Sequence, residues 1–84
     1  MTRKELITSL QKIIKPYSQN QEAFKNLSEG TDFINDLKIN SANLVDIILD
    51  LEDEFGIEID NESMEKMLSV KSAIDIIEIK LAES

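Results

Sequence analysis

The 84-residue chain contains neither cysteine nor histidine. Without thiols there is no disulfide framework and no thiolate metal site, and without imidazole the usual zinc ligands and the commonest general base are missing as well. Metalloenzyme and triad-type chemistry therefore lose most of their support. Positive charge is also scarce: 9 Lys and Arg stand against 17 Asp and Glu, a net charge of −8. The deficit is uneven, since residues 1–28 sum to +3, residues 29–65 to −11 and residues 66–84 to zero. Phosphate backbones demand the opposite sign, so nucleic acid is excluded as a natural partner, and a basic protein surface is favoured. No uninterrupted apolar run is long enough for a signal peptide or a membrane span; "MTRKELITSLQKIIKPY" is broken by polar residues, and a cytoplasmic chain is expected. The length allows one domain, residues 1–84, with a small core, expected to be a monomer of marginal stability.

Helical patterning dominates what is present. Thr2 followed by Glu5 is a capping-box pattern, and Leu6, Ile7, Leu10, Ile13 and Ile14 recur at helical spacing until Pro16 stops continuation. From Pro16 to Asn40 the pattern is weak. "QEAFKNL" suits a turn of helix and "SEGTD" is turn chemistry around Gly30, and a loop this long in so small a domain is usually functional. Ser41 to Phe55 reads as the second helix, closed by Gly56 at the left-handed position. "GIEIDNES" alternates apolar and acidic residues, but nothing offers it a partner strand, so an extended connector is expected. "SMEKML" reads as a short third helix and Ser69 as the cap of a fourth, on which Val70, Ala73, Ile74, Ile77 and Leu81 share a face. The expected fold is all-α: a small four-helix bundle of three longer helices and one short one, with a long loop between the first two.

The second helix has two apolar faces. On a wheel of about 100° per residue from Ala42, the positions Leu44, Ile47, Ile48, Leu51 and Phe55 fall between roughly 140° and 240°, a core face. Ala42, Val45 and Leu49 fall between roughly 300° and 0°, nearly opposite. Asp46, Asp50 and Asp53 border this second stripe on one side and Glu52 on the other. Single exposed aliphatics are commonplace, but two a turn apart with an acidic rim suit a protein-binding face, with apolar contact in the middle and carboxylates for steering.

Ser41, taken alone, reads as the N-cap of that helix. Its company says more. "DLKINS", "LEDEFGIEI" and "SVKSAIDII" together resemble the acyl carrier protein family, with its Asp-Leu-Gly-x-Asp-Ser-Leu stretch, Glu-rich helix ending in Phe, isoleucine-containing connector and Thr-Val-x-x-Ala helix. The resemblance runs from Phe33 to Leu81 by motif and takes in the first helix by position. It implies a carrier, not an enzyme, with no catalytic residue and no metal ligand of its own. A 4′-phosphopantetheine arm, donated by coenzyme A, would be attached to Ser41 through a phosphodiester by a separate magnesium-dependent phosphopantetheinyl transferase. The arm's thiol would hold acyl groups as thioesters for loading and processing enzymes with basic docking surfaces in fatty-acid, lipid or polyketide-like biosynthesis. A phosphodiester at a helix N-terminus would meet free N–H groups and the positive end of the dipole. The family's recognition surface maps onto Asn40 beside the serine and onto Ala42, Val45, Asp46, Leu49, Glu52 and Asp53. Asn40, Ala42 and Lys38 depart from the usual Asp, Leu and Gly, so a carrier dedicated to one pathway is as much in prospect as a housekeeping one.

Other readings are an unmodified helical adaptor and a weak calcium-binding module. An EF-hand loop counted from Asp50 would need Gly and Glu where the chain has Phe55 and Asn61, so that pattern fails.

Overall fold

In a computed structural model, which describes residues 2–83, the chain forms α1 (Arg3–Ile14), α2 (Gln21–Lys25), α3 (Ser41–Phe55), α4 (Asn61–Lys66) and α5 (Val70–Glu83). The three long helices and the short α4 fulfil the expected all-α bundle. The turn of helix suggested by "QEAFKNL" is α2, capped by the Asn20 side chain on Ala23 N–H, so the bundle has a fifth, minor helix inside its long loop.

Local chemistry explains the ends. The α1 capping box is complete: Glu5 N–H donates to Thr2 Oγ1 at 3.2 Å and Thr2 N–H to Glu5 Oε1 at 3.1 Å. Gly56 ends α3 at φ 64°, a left-handed conformation that a side chain would strain. Asp60 caps α4 on Ser63 N–H, which is why that helix starts at Asn61, two residues before the expected "SMEKML". Ser69 Oγ accepts from Ser72 N–H at 3.2 Å, as a cap of α5 should.

Leu6, Leu10 and Ile14 of α1, Ile47, Ile48 and Leu51 of α3, and Val70, Ala73, Ile74 and Ile77 of α5 form the core. Leu44 and Phe55 pack against it half-buried. The connector contributes Ile57 and Ile59 on alternate residues, with Glu58 between them in solvent, so it is extended as expected. The long loop supplies more than its weak pattern suggests: Phe33, Leu37 and Ile39 are all buried. It is sewn to the start of α5 by an isolated antiparallel bridge between Asp32 and Ser69, with Phe33 N–H on the Leu68 carbonyl and Val70 N–H on that of Thr31, both 3.0 Å. These bonds satisfy loop backbone that would otherwise be buried unpaired.

Arg3 ties the start of α1 to the loop and to α5. Its guanidinium pairs with Glu29 of the loop and with Asp75 and Glu78 of α5, and Lys71 adds a second bond to Asp75 at 2.9 Å. Lys71 first, then Arg3, hold the Asp75 carboxyl below its usual range. A carboxyl depressed in the folded state contributes stability that is present above its unfolded pKa and lost as pH falls through the folded value. Asp75→Asn should therefore melt below the wild type at neutral pH, and the gap should close in melting curves recorded as pH falls below the ordinary carboxylate range and through the depressed native value. A second expectation concerns the core: Leu51→Ala should cost about 2 to 5 kcal/mol in denaturant unfolding.

Candidate functional site

The N-terminus of α3 is built by the loop before it. Leu37 and Ile39 are 0% and 2% exposed, and the residue between them, Lys38, is exposed. Leu37 N–H donates to the Asp32 carbonyl at 3.1 Å and Ile39 N–H to that of Phe33 at 3.0 Å, so the backbone is held on both sides of Lys38. Asp32 Oδ1 in turn accepts from Ile34 and Asn35 N–H, and Asp36 Oδ2 from Asp32 N–H at 2.8 Å, folding the segment onto itself. Held this way, Lys38 adopts φ 58°, the one left-handed non-glycine among the described residues. An L-residue pays about 1 to 2 kcal/mol for that conformation.

The helix cap is Asn40 rather than Ser41. Asn40 Oδ1 accepts from Ala42 N–H at 2.9 Å and its carbonyl from Asn43 N–H at 2.8 Å. Ser41 is the first helical residue, exposed, and its hydroxyl has no hydrogen-bond partner among the described residues. Asn and Ser rank equally as caps, so propensity alone could not place the boundary between two adjacent candidates. Capping by Asn40 leaves the Ser41 hydroxyl free. It also means that two N–H groups expected to face a phosphodiester are already taken by Asn40.

The first turn of α3 carries no carboxylate although the helix lies in the most acidic part of the chain. The second apolar stripe is where the wheel puts it: Val45 is 49% and Leu49 53% exposed, with Ala42 also exposed. Asp46, Asp50 and Asp53 stand exposed beside it. Glu52 differs from them. It is half-buried, and its Oε2 accepts from Ile59 N–H at 2.7 Å, fastening the connector to α3. Tyr17, which the sequence did not single out, lies against the acidic side. Burial pushes its phenol up, and the Asp50 and Asp46 carboxylates push it further. A tyrosine just after a helix-stopping proline was the only signal available.

Among the described residues no group of three or more acidic side chains converges to hold a metal ion, and no helix is long and apolar enough to cross a membrane. Surface depressions lie around Gly56 and Lys80, around Arg3 and Gln11, and around Lys4 and Ser9; Ser41 lines none of these three.

Known proteins give this arrangement its family. Residues 21–77 match the family model of the phosphopantetheine attachment site. The chain is 38% identical over 78 residues to the acyl carrier protein of Lactobacillus acidophilus, covering 92% of this chain and 94% of that one. It is 33% identical over 81 residues to that of Coprothermobacter proteolyticus, covering 96% of each. The crystal structure of an acyl carrier protein from Thermotoga maritima superposes with a TM-score of 0.76 at 32% identity, covering 96% of this chain and 92% of that one. The chain belongs to the acyl carrier protein family, carriers in acyl-chain biosynthesis rather than enzymes, and its prosthetic group is covalently attached 4′-phosphopantetheine. The residues at the head of α3 fit that group: a free, exposed hydroxyl, a first turn without competing carboxylates and the positive end of the helix dipole.

Three substitutions test the local geometry. Asn40→Ala should cost about 1 kcal/mol as a lost cap, while Ser41→Ala should cost no more than a few tenths. Lys38→Gly should raise stability by about 1 kcal/mol, the left-handed strain relieved less the extra freedom of the unfolded chain. Chemical denaturation of the apo protein reads all three.

Proposed function

We propose that Ser41 is the point at which the arm is attached and that Val45 and Leu49, rimmed by Asp46 and Asp53, form the face on which partner enzymes dock. The observation that carries the first part is the unengaged Ser41 hydroxyl at the head of α3 in a family whose members carry this group. Once bound, the arm supplies a thiol that holds an acyl group as a thioester. The chain's own residues present and steer. Asn40 closes the helix so that Ser41 faces solvent, and the acidic flank of α3 attracts the basic surfaces of a phosphopantetheinyl transferase and of acyl-processing enzymes. Ala42 leaves the contact beside Ser41 shallow. Glu52 supports the face through the connector rather than through a free carboxylate. The second helical stripe is exposed while its opposite side fills the core, which favours docking over an unmodified scaffold with no preferred face. We assign the protein to fatty-acid or related lipid biosynthesis, as a single carrier domain acting in the cytoplasm.

Incubation with coenzyme A and a promiscuous transferase should add one arm to the wild type and none to Ser41→Ala, read by intact mass. Modification persisting in Ser41→Ala would remove the assignment. Val45→Arg and Leu49→Arg should melt close to the wild type yet slow arm attachment and acyl transfer. If either melts as badly as Leu51→Ala the stripe belongs to the core, and if transfer is undisturbed the docking face is elsewhere. Association should also slow as salt rises, because exposed charges are screened beyond about 8 Å at physiological ionic strength.

A further inference from the structure

Lys38 is the only basic residue among residues 29–65, a stretch of net charge −11, and it is exposed three residues before Ser41. It has no ion-pair or hydrogen-bond partner for its ammonium among the described residues, although acidic side chains surround it in sequence. Its backbone is held at φ 58° by buried neighbours on both sides, so the side chain leaves the surface from a fixed point. Three residues of chain span at most about 10 Å, and a lysine side chain reaches several ångströms further from its own Cα. A cation on such a stem, unpaired and beside an exposed hydroxyl, lacks only an anion.

The helix terminus leaves room for one. Asn40 already accepts from Ala42 and Asn43 N–H, so fewer backbone donors are free to face a phosphodiester than an uncapped terminus would offer. A group with a permanent negative charge placed on Ser41 would also enter the most acidic part of the molecule. We infer that Lys38 is the counter-charge of the phosphodiester on Ser41, a positioning residue that draws the base of the arm toward the loop side of α3 and offsets its repulsion by the acidic chain. The inference rests on Ser41 being the attachment point. It requires no partner enzyme, so it can be tested on the carrier alone.

The wild type, Lys38→Gln and, as a distant control, Lys66→Gln would each be prepared in apo and holo form. Lys66 is exposed on α4, where it pairs with Glu62 at 3.8 Å. Lys38→Gln keeps a long side chain in the same left-handed position, so its apo form should fold and give a baseline. The first measurement is the change in melting temperature from apo to holo. It should be less favourable in Lys38→Gln than in the wild type by about 1 to 8 °C, the range expected for an exposed pair in a domain of this size. The difference should vanish in molar salt. The second is the 31P resonance of the holo arm, which should move with salt in the wild type and in Lys66→Gln but not in Lys38→Gln. Equal apo-to-holo changes in all three proteins, or a 31P resonance indifferent to Lys38, would overturn the assignment while leaving Ser41 in place. An arm found by peptide mass at another residue would overturn both, and that result is distinguishable from the first.

Discussion

Leu37 and Ile39 enter the core on either side of one exposed residue, and the placement of the head of α3 depends on that pinning. Both anchors lie outside any helix, in the segment with the weakest periodic signal. With Leu37 and Ile39 buried and the backbone turning left-handed between them, the Lys38 side chain is left in solvent. The chain then reaches Asn40 in the extended conformation an N-cap needs, φ −64° and ψ 134°, and α3 begins at Ser41. Phe33, buried four residues before Leu37, ties the same segment to the chain just before α5 through the Leu68 carbonyl. The orientation of α3 and the exposure of its first residue are thus consequences of loop packing as much as of helix propensity.

Charge is distributed to match this architecture. Arg3 gathers carboxylates from the loop and α5 at the end of the bundle where α1 begins, satisfying acidic residues that have a structural use. Along α3 the acidic residues have almost no such compensation: no basic side chain lies on the helix, and Asp46, Asp50 and Asp53 remain in solvent. Clustering like charges destabilises a compact state, and a chain with so small a core has little stability to spare. An acidic, half-apolar helix surface next to an exposed Ser41 is what the docking face proposed above requires. Glu52 is the exception, its carboxylate turned to the Ile59 backbone.

The α1 capping box, the stop at Pro16, the full extent of α3 and the two faces of its wheel were legible in the sequence because each depends on neighbours within a turn or two of helix. The motifs from Phe33 to Leu81 pointed to the carrier family for a different reason, as a combination of short stretches specific only when taken together. What sequence periodicity could not supply was the loop. Phe33 and Leu37 are four residues apart and Leu37 and Ile39 two, so no one period covers the three, and their burial comes from joining the core that α1, α3 and α5 build. The left-handed turn at Lys38 was invisible for a related reason, since lysine gives no local signal for positive φ and only surrounding contacts hold it there.

The cap of α3 separates the two kinds of information most clearly. Composition and pattern determined that a helix begins at "NS", that its apolar residues divide into a buried and an exposed face, and that the chain works without its own thiol or imidazole. Whether Asn40 or Ser41 would turn inward to close the helix was decided by tertiary structure. The two residues are equal as caps, and it is the anchoring of Ile39 in the core that sets the backbone so that Asn40 reaches the Ala42 N–H and Ser41 is left free in solvent.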